Sequence, residues 1–131
     1  MTLLCARIAA VLTLVSLAVL FASAGLLVQD ARGLDFHGAG ALAIHVFSGV
    51  LASALGVHAW VTRSGIPTAV AAFALFGLTF AQAALGSYMT LALHVVGALV
   101  VTVLAAWVAF WIFTAQKTAV PLTARTRESP T

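Results

Sequence analysis

The side chains of this sequence best suited to chemistry are its four imidazoles, and almost everything beside them is apolar. His37 and His45 lie in F-H-G-A-G-A-L-A-I-H-V-F-S-G (residues 36–49), and His94 lies in L-A-L-H-V-V-G-A-L-V (residues 91–100). His58 stands apart, two residues before Trp60. A neutral imidazole donates through one nitrogen and accepts, or binds a metal, through the other. Inside hydrocarbon such a group must find a partner, so histidines in these runs point either to bonds between helices or to a ligand.

A b-type haem is the ligand that best suits this set. It takes one or two imidazole nitrogens on its iron, an apolar slot for the ring and a wetter edge for the propionates. His94 would supply one axial nitrogen, with either His45 or His37 as the second. Arg32 is placed to pair with a propionate, and Gln82 to hydrogen-bond a ligand histidine or a propionate, although a plain interhelical bond would also explain Gln82. A zinc or copper site is poorly supplied: there is a single cysteine, no H-E-x-x-H, and only Asp30 and Asp35 as carboxylates in reach. No buried acid accompanies a Ser or Cys, which argues against nucleophilic catalysis. The apolar runs hold no Asp or Glu for a proton relay. Cys5 reads as a small apolar residue near the membrane surface.

The elements that must carry these histidines follow from composition. Of the 131 residues 63% are hydrophobic and 7% charged, and the mean hydropathy is +1.17. That is too much apolar surface for one soluble core, and it calls for a bilayer. The net charge of +3 is spread along the chain without a basic, aromatic-interleaved patch, so nucleic acid is not an expected partner. Four apolar stretches, about 8–28, 38–61, 67–85 and 90–114, meet or approach the roughly 20 residues a spanning helix needs. None alternates as a membrane strand would. The predicted fold is an all-α integral membrane protein with four transmembrane helices. Its short connections, Q-D-A-R-G-L-D-F, T-R-S-G-I and G-S-Y-M, imply an up-down-up-down bundle. Residues 1–116 form this domain, and 117–131 read as a flexible basic tail.

Arg7, Arg63, Lys117, Arg125 and Arg127 fall on one side of the predicted spans, and only Arg32 on the other, beside Asp30 and Asp35. Both termini are therefore expected to be cytoplasmic. Trp60, Trp107 and Trp111 then read as anchors at that interface. Arg7, the following apolar run and A-S-A at 22–24 also fit a signal peptide cut before Gly25, which would leave three helices. The four-helix reading retains that segment.

An internal repeat links the histidines. F-A-S-A-G-L-L from Phe21 aligns with F-A-Q-A-A-L-G from Phe80, and H-G-A-G-A-L-A from His37 with H-V-V-G-A-L-V from His94. Two similar helical hairpins would place a ligand on an approximate two-fold axis, with one histidine from each half. Depth gives a different pairing. His94 lies about four residues into its helix, roughly 6 Å, and His45 about seven, roughly 10 Å, while His37 sits at the outer boundary. Eight residues turn a helix by about 80° net, so His37 and His45 can both face inward. Small residues (Gly38, Ala41, Ser48, Gly49 and Ala52) surround His45, with Leu42 the bulky exception, and Gly97 and Ala98 follow His94. They leave room for a flat guest, or for close helix packing with none. His58, near the far interface, can reach water or headgroups.

The runs A-G-L-L-V-Q-D-A-R-G-L-D-F-H-G-A-G and Q-A-A-L-G-S-Y-M-T-L-A-L-H-V-V-G-A-L resemble small bacterial four-helix membrane proteins of unknown function. Over about residues 18–110 the pattern also resembles one four-helix half of haem A synthase. That resemblance implies haem ligands on the second and fourth helices: His94 on the fourth, and His37 by spacing or His45 by depth on the second. It implies haem binding more than haem modification. Only one half is here, and the synthase's acid beside its second-helix histidine has no counterpart, Asp35 lying in a loop. The expectation is a non-enzymatic haem b protein of the bacterial inner membrane. It would act in electron transfer or haem handling, alone or as a small subunit of a respiratory complex. Surrounding lipid, other membrane subunits or a second copy, and quinone are the expected partners. The rival expectation is an accessory or assembly subunit without cofactor, whose histidines only bond across helices.

Overall fold

The computed structural model describes residues 1–114. The expected tail at 117–131, with Lys117, Arg125 and Arg127, lies outside them. The described chain is a four-helix bundle: α1 (Thr2–Asp30), α2 (Leu34–Thr62), α3 (Ile66–Ala84) and α4 (Leu91–Thr114), with a 3₁₀ turn at Tyr88–Thr90 before α4. Each helix is long and apolar enough to cross a membrane. In chain order each helix packs on the next, and α4 returns to α1, which closes the ring.

Two helices begin earlier than composition suggests. α1 starts at Thr2, not near Ile8, because Arg7 does not end it. The guanidinium lies 5.5 Å from the centre of the Phe113 ring, so the residue stays helical while its charge is accommodated at the bundle end. α2 starts at Leu34, not near Gly38. Gly33 supplies the left-handed φ of 91° that turns the chain, and the His37 N–H donates to the Gly33 carbonyl at 2.8 Å. His37 therefore lies inside the first turn of α2, not at its boundary, and Asp35, expected in the connecting loop, lies in that turn as well. α1 closes on Ala31, also left-handed (φ 53°), with the Arg32 N–H reaching back to the Leu26 carbonyl at 3.4 Å.

Most buried serines and threonines satisfy their own helix; Thr68 of α3 is the exception, its buried hydroxyl having no partner among the described residues. Thr13, Ser16 and Ser48 donate to the carbonyls of Ala9, Leu12 and Ile44 at 2.8, 2.8 and 2.6 Å, so burying their hydroxyls in apolar surroundings leaves no donor stranded. Small residues meet large ones at the contacts between α2 and α3. A side chain at Gly49 would approach the Phe76 ring to 3.1 Å, and one at Gly56 would meet the Phe73 ring at the same distance. Ser48 and Ala52 are buried. Much of the small-residue stripe of α2 thus serves packing within the chain.

The core is lopsided. At one end Ala6, Ala10, Leu55, Ala72, Val108 and Ile112 are all buried, drawn from all four helices. Trp111 packs against this core and crowds Gly65, where a side chain would meet its ring at 3.2 Å. Trp60 and Trp107 are exposed. At the other end α4 contributes nothing buried before Val101; Leu93, Val96 and Leu99 all lie more than 60% exposed.

Candidate functional site

The loosely packed end holds the histidines that matter. His37 and His94 each stand three residues after the first residue of their helix, Leu34 and Leu91. These two helices do not pack on each other, yet the two imidazoles meet between them with ring centres 6.4 Å apart and planes inclined at 55°. Both rings are half-buried.

Each ring is held from a third helix. His94 Nδ1 lies 2.9 Å from the main-chain carbonyl of Gln82 on α3. A carbonyl can only accept, so Nδ1 carries the proton and Nε2 keeps its lone pair. His37 Nδ1 lies 3.1 Å from Ser23 Oγ on α1. That hydroxyl already gives its one proton to the carbonyls of Val19 and Leu20, at 2.8 and 3.0 Å. Ser23 therefore accepts from His37, and again Nε2 is the bare nitrogen. A ring fixed through Nδ1–H with Nε2 unprotonated is the arrangement in which histidine ligates metals. All four helices contribute: two bear the rings and two aim them.

His45 is directed elsewhere. Its ring stacks on Phe80 with centres 4.4 Å apart and planes 4° from parallel, and Nδ1 lies 2.7 Å from Thr79 Oγ1. Thr79 donates its proton to the Phe76 carbonyl at 2.7 Å, so His45 too donates through Nδ1. The structure thus brings His37 to His94 and gives His45 to α3. His58 lies at the opposite, packed end, beside Gly65.

Arg32 is exposed in the connection leading to α2, on the histidine end. Gln82 acts on His94 through its main chain. Its side chain occupies the space left by Gly97, where any Cβ would collide with it, and its Oε1 is buried with no hydrogen-bond partner among the described residues. Gly40, three residues after His37, likewise makes room for Leu20. Among the described residues no cluster of three or more His, Cys, Asp or Glu side chains forms.

Sequence reasoning named the histidines but not Ser23 or Thr79. A signal for Ser23 was present: in the repeat F-A-S-A aligns with F-A-Q-A, which sets Ser23 opposite Gln82, the two residues that hold His37 and His94. Thr79 carries no such mark. Compared with family models, curated proteins and solved structures, the chain matches none.

Proposed function

We propose that this chain is a multi-pass protein of the bacterial inner membrane that holds one b-type haem between His37 and His94. The bundle runs up-down-up-down as two similar hairpins with both termini cytoplasmic, which sets the histidine pair beneath the outer surface. The observation carrying this reading is the pair itself. An imidazole nitrogen sits about 2.0 Å from a first-row metal and about 1.2 Å from its own ring centre, so two rings holding one iron between them would stand about 6.4 Å apart. The 6.4 Å between His37 and His94 suits that arrangement.

When bound, the haem supplies one-electron chemistry, its iron passing between ferric and ferrous states. The chain's own residues do the rest. Ser23 and the Gln82 carbonyl would keep both Nε2 atoms bare, and the macrocycle would sit where α4 buries no side chain before Val101. Arg32 would meet a propionate at the outer edge. The unpartnered Gln82 Oε1 would accept from a donor on the bound group or from water. Electron transfer or haem handling, alone or as a small subunit of a respiratory assembly, is the role this supports.

A second reading has its own support. The three histidines of the spans already own one hydrogen bond each, to Ser23, Thr79 and Gln82. An accessory subunit without cofactor would need no more. The absorption spectrum of the purified protein separates the two: a Soret band that shifts on dithionite reduction supports haem, and a colourless preparation after expression with ample haem supports the subunit.

A further inference from the structure

The haem reading leaves His45 without a task, and His45 lines a groove of about 620 Å³ on the flank of the bundle. Gly49, Val50, Ser53, Phe73 and Phe76 continue the groove, which ends at Thr2 and Cys5 of α1. From His45 to Val57 it runs along twelve residues of α2, roughly 18 Å. Val46, Val50 and Val57 are exposed, so the groove opens towards the hydrocarbon, and a ligand would enter from the lipid phase.

We propose that this groove binds a membrane quinol, its ring at His45 and its isoprenoid tail along α2 towards Cys5. The polarity of the site selects the reduced carrier. His45 spends its proton on Thr79, and Thr79 spends its own on Phe76, so Nε2 is an acceptor in apolar surroundings. Such a nitrogen needs an O–H donor. A quinol has one, whereas a quinone ring or an acyl chain has none. Aromatic walls suit a flat ring: Phe73 and Phe76 line the groove, and Phe76 meets edge-on, at 5.0 Å, the Phe80 ring that stacks on His45. His45 follows His37 by eight residues on one helix, about 12 Å of rise, which would set the quinol close to the haem of the preceding reading. The kinship of the two sites rests on that reading; the groove itself does not, because neither His37 nor His94 lines it.

The test uses the whole protein in phosphatidylcholine nanodiscs freed of quinone, with a photoactivatable para-quinol bearing a decyl tail. Label is expected within residues 45–57 and 73–76. Decyl-quinol should compete for it, and the dimethyl ether of that quinol, which has no O–H, should not. His45→Leu should lower labelling about tenfold, the loss expected of one hydrogen bond. Val50→Trp, which fills the groove and leaves the His45–Thr79 bond alone, should lower it as well if His45→Leu fails to fold. His94→Ala should label like the parent, so a protein without haem can still pass. Equal competition by the dimethyl ether would make the groove an acyl-chain site and overturn the proposal. So would labelling indifferent to His45→Leu, or cross-linking between two copies in place of quinol labelling.

Discussion

The two ends of this bundle are built from the same residue types and do opposite things. At the packed end, alanines from each helix let backbones approach while Leu55, Val108 and Ile112 fill what remains. At the histidine end α4 buries nothing over its first ten positions, residues 91–100, and His37, His45 and His94 each add a hydrogen bond across the bundle. Apolar attraction between helices is weak in lipid, so close packing and interhelical hydrogen bonds carry association. The packed end relies on the first, and the histidine end adds the second. On the proposed haem reading, stability and ligand binding are divided along the helix axes, and substitutions at each end should report separately.

The largest separation is expected at the pair. His94→Ala or His37→Ala should remove essentially all Soret absorption from the purified protein while leaving its helical circular dichroism intact. If either variant keeps a parental spectrum, the two rings do not share an iron. Gly97→Val comes next. Its side chain must displace Gln82, whose carbonyl aims His94, so haem occupancy per protein should fall several-fold. Pyridine haemochrome measurement checks this.

At the packed end the effect should be thermal, not spectral. Leu55 is buried there, and Leu55→Ala should cost about 2–4 kcal/mol of stability with the absorption maxima unmoved. A shifted Soret band in that variant would show that the two ends are coupled after all. His45→Ala is expected to cost about 1 kcal/mol, the scale of one interhelical hydrogen bond, and to keep the haem spectrum. Smallest of all, Ala31→Gly should raise stability by about 1 kcal/mol or less, because Ala31 is held at a left-handed φ of 53° that glycine adopts freely.

The fold was the more legible part. Four apolar runs of spanning length gave four helices, and the largest shifts were at the starts of α1 and α2, where Arg7 failed to interrupt α1 and Gly33 turned the chain early. The histidine pairing was harder. Depth counted from assumed helix starts favoured His45 with His94, while the repeat favoured His37. The earlier start of α2 puts His37 and His94 at equivalent positions, and their rings meet. Hydrogen-bond partners were not readable one by one, since a serine or threonine in a membrane helix satisfies its own backbone as readily as a neighbour's side chain. Only the repeat singled out Ser23, through its alignment with Gln82.

Ser23 gives the first helix a consequence beyond filling space. By accepting a hydrogen bond from His37 Nδ1, a hydroxyl on α1 selects the tautomer of an imidazole on α2. A chain shortened to begin at Gly25 would retain every histidine and three of its four helices, yet His37 would be free to rotate and to carry its proton on either nitrogen. Such a fragment would keep its ligands and lose their aim.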